Sequence, residues 1–188
     1  NNSGVDLDMF TSVQFNTSKA RSKNIRNNEP ILFGAGKIIP RAGAVAFWVK
    51  GPLSEGMLFN QSAMAWGRSE KHLFAVTVDK DLRLGAYFTD CQYIHHTIKS
   101  TEKWNESAWN HVVFNWDNAY GLELFVNGKS SASSWGKDAW WETPLSGLFH
   151  FPMPHVAYDE FYSFSRPLTP EEISSLLKEN TVTLSPAA

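Results

Sequence analysis

The chain has one cysteine, Cys91, in 188 residues. No intrachain disulfide can form, so stability has to come from a packed core, and a lone thiol in a strand is ordinarily a small buried hydrophobe. Basic character is also missing: 17 Lys and Arg stand against 19 Asp and Glu, scattered, with a formal charge of −2. Without a basic stripe nothing tracks a phosphate backbone, and nucleic acid is not an expected partner. No run approaches the roughly 18 apolar residues of a membrane span. Asn1 is neither an initiator Met nor the start of a signal sequence, and the chain reads as a piece of a larger protein. No His/Cys/Asp spacing suits zinc, and there is no glycine-rich phosphate loop and no nucleophile elbow.

What the chain does have is aromatic residues, 14% of the total, including eight Trp. Such residues favour strands. From Pro30 onward, apolar runs of strand length recur between turn signals, as in ILFGAG, GAVAFWVK, MLFN, HLFAVTV and LRLGAYF. That spacing predicts an all-β body, and the length suits a single sandwich. Asp79-Lys80-Asp81 is the expected turn of one hairpin, and Asn127-Gly128 is the dipeptide suited to a two-residue primed turn in another. In the run Leu82, Leu84, Ala86, Phe88, the apolar side chains are expected on one face, with Arg83 and Tyr87 on the other. One helix is predicted. Thr169-Pro170-Glu171-Glu172 supplies an N-cap hydroxyl, a proline at the first helical position and a glutamate three residues after the cap. Ile173, Leu176 and Leu177 then mark an apolar face, with a stop at Asn180. The expected division is a sandwich over residues 1–180 and a tail or linker over 181–188.

Three segments in order carry a resemblance. They are Gly43 to Lys50 (GAVAFWVK), Trp109 to Asp117 (WNHVVFNWD) leading into Leu124 to Lys129 (LFVNGK), and Tyr158 to Thr169 (YDEFYSFSRPLT) before the helix. Together they resemble the laminin G-like branch of the concanavalin A-like lectin/glucanase superfamily over roughly residues 43–178. The resemblance implies a jelly-roll β-sandwich of two antiparallel sheets with one short C-terminal helix. It does not imply one function, because the fold hosts sugar binding, adhesion, protein recognition and catalysis. Trp48, Trp109 and Trp116 are expected inside the sandwich, and His111 is expected to be a hydrogen-bonded structural residue. The branch often holds a structural Ca2+, and Asp159 stands where its Asp-Glu motif can contribute a ligand.

Catalysis is the minority expectation. Relatives that hydrolyse β-glucans carry acids at E-x-D-x-x-E spacing, which places a general acid and its partner about the scissile bond. No such triplet occurs, and Asp159-Glu160, being adjacent, are expected on opposite faces of a strand. Gln92-Tyr93-Ile94-His95-His96 faintly resembles the Q-x-H strand of jelly-roll lyases, but its spacing differs and the companion Y-x-K-x-G-x-Y segment is missing. A plain strand with Tyr93, His95 and Thr97 on its wet face is the simpler reading.

Binding is the leading expectation. Trp135-Gly136-Lys137-Asp138-Ala139-Trp140-Trp141 crowds three indoles into a loop between assigned strands. Trp and Tyr give large rigid faces for the C–H side of a pyranose ring at low entropic cost. The predicted site is Trp135, Trp140 and Trp141 with Lys137 and Asp138 as hydroxyl partners, joined less strongly by Trp66, Arg68 and Trp104. The expected function is a non-catalytic, lectin-like module of an exported, secreted, cell-surface or periplasmic multidomain protein. Its expected partners are a poly- or oligosaccharide and the parent's other domains. The alternatives are a protein-interaction or adhesion domain and, third, a lyase or hydrolase.

Overall fold

The computed structural model describes residues 23–24, 41–63, 72–89, 94–135, 146–164 and 166–184. Its strands are β1 (Lys23–Asn24), β2 (Ala42–Lys50), β3 (Gly56–Ala63), β4 (His72–Val78), β5 (Leu84–Thr89) and β6 (His95–Lys99). They continue with β7 (Asn110–Asp117), β8 (Gly121–Val126), β9 (Lys129–Ser133), β10 (Ser146–His150) and β11 (Ala157–Phe164), and helix α1 spans Pro170–Leu184. A six-stranded sheet, in the order β1-β11-β2-β7-β8-β9, faces a five-stranded sheet, β10-β3-β4-β5-β6, and every pairing is antiparallel. The expected jelly-roll sandwich is the fold observed.

Alternation decides what each strand buries. Val45, Phe47 and Val49 on β2 and Val112, Phe114 and Trp116 on β7 point between the sheets, where they meet Phe59, Phe74, Phe88 and Phe161. Phe74 lies 4.3 Å, centroid to centroid, from Trp116. Gly43 makes room for that indole, since a Cβ there would stand 2.4 Å from its ring. The opposite face of the six-stranded sheet is apolar as well, because α1 packs on it: Ala44, Ala46, Val113, Phe125 and Phe164 join Leu168, Ile173 and Leu176 in a second core. Both faces of β2 are therefore buried, which explains its unbroken apolar run.

The helix entry is built as its sequence requires. Thr169 Oγ1 accepts from the Glu172 amide at 3.3 Å, and Glu172 accepts from the Thr169 amide at 2.9 Å. Arg166 grips the same carboxylate with two bonds of 2.8 and 2.7 Å, which hold the Glu172 carboxyl below its ordinary range. Asn115 lashes this entry to the sheet, giving its Nδ2–H to the Leu168 carbonyl and taking the Leu168 amide at Oδ1. Beyond this entry the helix runs to Leu184, past the stop predicted at Asn180.

Three further expectations are corrected. Leu82 does not extend the alternation of β5: it sits in the turn at φ +56°, 40% exposed, where Asp79 Oδ1 accepts from the Asp81 and Arg83 amides. Trp48 is buried but not between the sheets. It is in register with His111 and Asp159 on the outer face, one residue out of phase with Phe47. Trp109, also expected inside, is only half-buried.

Asn127 and Gly128 both have positive φ, 50° and 81°, as a primed turn demands. Asn127 also ties the turn to β7, accepting the His111 amide at Oδ1 and donating its own amide to the His111 carbonyl.

Candidate functional site at one end of the sandwich

From β2 onward the register assigns each strand-to-strand connection to one of two ends. At one, the Asp117 end, β2, β4, β6 and β8 begin and β3, β5, β7 and β9 finish. The close pair Phe74 and Trp116 shows that the two sheets share this end. At the other, the Asn110 end, Tyr158 donates its hydroxyl to the Leu58 carbonyl at 2.7 Å.

Trp135 follows β9 at the Asp117 end and is 37% exposed. It stacks on Tyr120, which is 57% exposed, with ring centroids 5.9 Å apart and planes 20° from parallel. Backbone chemistry fixes the pair. Asp117 Oδ1 accepts from the Ala119 and Tyr120 amides and closes the β7–β8 turn, while the Asn118 amide reaches the Arg41 carbonyl at 2.7 Å. Gly121 stands at φ +116°, where a Cβ would meet the Ser134 carbonyl oxygen at 2.6 Å, so only glycine lets β8 begin this close to the end of β9. Ser134 then exchanges bonds with Leu122, and Ser133 Oγ accepts the Trp135 amide. Tyr120 is the member of the pair that sequence reasoning missed. Its one signal is position: it fills the turn between the WD and LELF strands, just before a glycine.

Trp66 and Arg68 fall between β3 and β4, and Lys137, Asp138, Trp140 and Trp141 between β9 and β10; all six lie outside the described residues. The strand ends flanking them, Ala63, His72, Ser133 and Ser146, are at the Asp117 end. Trp104 is elsewhere. It packs on the core at the Asn110 end and donates its indole N–H to the Gly51 carbonyl at 3.2 Å. It forms no surface with Trp135.

A polar cluster marks the outer face of the five-stranded sheet near the same end. Thr89 Oγ1 and His95 Nδ1 are 2.9 Å apart, and the Tyr87 ring meets the His95 ring edge-on at 4.7 Å. Burial pushes the Tyr87 phenol up to about 12, so it remains a neutral donor. His95 and Thr97 are exposed as expected; Tyr93 lies outside the described residues.

The Asn110 end holds the buried titratable groups. His111 is 1% exposed, against the Trp48 ring at 5.0 Å, and neither ring nitrogen has a hydrogen-bond partner. This corrects its expected role as a hydrogen-bonded residue. Burial pushes its imidazole down to about 4. Asp159 is fully buried, its Oδ1 accepting the Glu160 amide at 2.9 Å across a bulge in which Glu160 takes φ +47°. Glu160 is buried too. Calcium takes six to eight oxygens. Among the described residues no three His, Cys, Asp or Glu side chains gather to hold a metal. Asp159 holds the bulge as an acceptor.

A family model described as the concanavalin A-like lectin/glucanases superfamily matches residues 27–174. The chain belongs to this superfamily. No protein of curated function matches it in sequence. Among solved structures it is similar to the binding domain of Paraclostridial Mosquitocidal Protein 1, with a TM-score of 0.64, 10% identity and coverage of 91% of this chain and 52% of that one. Trypanosoma rangeli sialidase in complex with sialic acid gives a TM-score of 0.59 at 14% identity over 86% of this chain. The receptor binding domain of botulinum neurotoxin mosaic serotype C/D gives 0.55 at 13% identity over 74%. The chain spans only 29% of that sialidase and 36% of the neurotoxin domain. These likenesses are to the fold.

Proposed function

We propose that this chain is a non-catalytic, lectin-like module of a larger exported protein, and that it takes the ring face of a poly- or oligosaccharide on Tyr120 and Trp135. The observation that carries the reading is the exposed, stacked pair itself. A sandwich with aromatic residues to spare inside holds two of them outside, on a turn fixed by Asp117 and Gly121. Rigid aromatic faces bind the C–H side of sugars with little entropy lost. The non-catalytic part draws support from the acids: Asp159 and Glu160 are buried at the opposite end from the platform.

Glycan arrays and affinity gels over diverse polysaccharides test the proposal. Binding by the wild type that is lost in both Tyr120→Ala and Trp135→Ala supports it; no binding to any glycan, or binding untouched in both variants, sinks it. Assays for reducing ends and unsaturated products on the same polymers should stay silent.

A second reading is a protein-interaction domain. It is favoured by Ile94, 52% exposed at the start of β6 and so at the same end as the aromatic pair. Capture of a neighbouring domain of the parent protein, with no competition by sugars, would favour that reading instead.

A further inference from the structure

The described outward positions on the β4–β6 half of the five-stranded sheet are uneven in charge. Thr77 on β4, Tyr87 and Thr89 on β5, and His95, Thr97 and Lys99 on β6 include two basic side chains and no carboxylate. His95, Thr97 and Lys99 are exposed and Tyr87 is half-buried, so this strip faces solvent. Asp79 lies in the β4–β5 turn, where two backbone amides and, more weakly, the Lys99 ammonium hold its carboxyl below the ordinary range, and Asp90, next to Thr89, lies outside the described residues. The strip begins at the Asp117 end, and β6 and β9 border each other where the two sheets meet. A chain lying along β6 would therefore pass the corner that carries Trp135.

Resting on the lectin-like reading above, we infer that the β5–β6 strip is a second subsite that selects carboxylate-bearing polysaccharides, with His95 and Lys99 facing the acid groups and Thr97 and the Tyr87 hydroxyl facing sugar hydroxyls. The cluster has the features of a built site. The Thr89 hydroxyl at 2.9 Å from Nδ1 and the Tyr87 ring against its edge orient the His95 ring. Burial keeps the Tyr87 phenol a hydrogen-bond donor at any physiological pH. The charges are sparse: four residues of strand put His95 and Lys99 about 13 Å apart. That spacing suits single carboxylates repeated along an extended chain better than a densely sulfated one.

Affinity electrophoresis in gels of polygalacturonate and of its fully methyl-esterified counterpart isolates the charge, because the two polymers share one backbone. The wild type should bind the acidic polymer with a Kd about fivefold lower at low salt, the scale of one exposed ion pair at Lys99. Added salt should erase the difference. His95→Ala combined with Lys99→Ala should bring the two gels to parity while binding to the esterified polymer persists. Equal retardation of the wild type in both gels, or a preference that survives in the double variant, overturns the subsite and leaves the lectin-like reading standing. Absence of retardation in both gels, together with silence on glycan arrays, removes both.

Discussion

The two ends of the sandwich treat the same kinds of residue in opposite ways. At the Asn110 end, Trp48, Trp104 and His111 are turned inward or packed down, and the Trp104 indole N–H is satisfied by a backbone carbonyl. At the Asp117 end, Tyr120 and Trp135 stack on each other and face water. Trp104 lies in a ten-residue connection between Lys99 and Asn110 and Trp135 in a twelve-residue one between Ser133 and Ser146, so loop length does not cause the difference. Backbone geometry does. At the Asp117 end Gly121 and the Asp117 turn hold two exposed rings above the last strand residues. One end seals the core, and the other displays what the core does not need.

The sealed end should break first with acid. Folded, the His111 imidazole titrates near 4, whereas its ordinary value is 6.5. Between those values the unfolded chain binds the extra proton, so stability is complete above the upper value and falls as pH drops toward the lower one. The ceiling on that loss is about 3 kcal/mol at ~1.4 kcal/mol per pH unit. Denaturant unfolding between about pH 7 and about pH 4 should show it, and His111→Phe should flatten that part of the curve while other carboxylates still contribute. Identical slopes for wild type and variant would mean that the imidazole is hydrated in solution.

Trp104 gives the next effect. Trp104→Ala should cost about 2 kcal/mol, below the range for fully buried indoles because the side chain is half-exposed, and should leave glycan binding intact. Trp135→Ala should do the reverse. A Trp104→Ala protein that keeps its melting temperature but loses binding would erase the distinction between the two ends.

Much of this division was legible beforehand, and what was not has identifiable causes. The strand runs from Gly43 onward, the Asn127-Gly128 turn and the Thr169/Glu172 capping box are local chemistry and appear where the residues place them, while the ILFGAG run over 31–36 lies outside the described residues. Trp48 was misplaced because both faces of β2 are apolar, one against the facing sheet and one in the layer that α1 covers. Periodicity carries no phase when both faces are buried. Leu82 looked like strand because alternation continues into a turn whose φ is set by Asp79. Tyr120 had only its turn position before a glycine as a signal: a lone tyrosine in a turn becomes half of a platform only when β8 and β9 pair and bring Trp135 beside it. Crowding with Trp140 and Trp141 ranks Trp135 ahead of Trp104, but both lie in polar loops and neither sequence neighbourhood displays which end of the fold it reaches. Which end of the sandwich each loop reaches is a property of topology.

At the displayed end, Tyr120→Ala and Trp135→Ala should each weaken binding about tenfold, equivalent to ~1.4 kcal/mol, with melting temperatures near wild type. Gly121→Val should give a comparable loss by an indirect route, because its Cβ would push Ser134 away and separate the two rings. Tryptophan fluorescence distinguishes the routes: the Gly121 variant should shift Trp135 emission toward that of a fully exposed indole. Unchanged emission with lost binding would show that the turn, and not the stack, carries the contact.

Calcium should have the smallest effect of all. Asp159 has no accessible surface and its Oδ1 is engaged by the Glu160 amide, so an ion would have to open the bulge to reach the carboxylate. Thermal melts in excess Ca2+ and in excess chelator should coincide. Asp159→Asn keeps one oxygen to accept that amide and should melt close to wild type, whereas Asp159→Ala leaves the amide buried without an acceptor and should melt lower, by the equivalent of about 1–3 kcal/mol. A rise in melting temperature with calcium that Asp159→Asn abolishes would reverse the assignment. The sealed end would then be a metal-stabilised end, and the contrast with the open platform would rest on an ion as well as on packing.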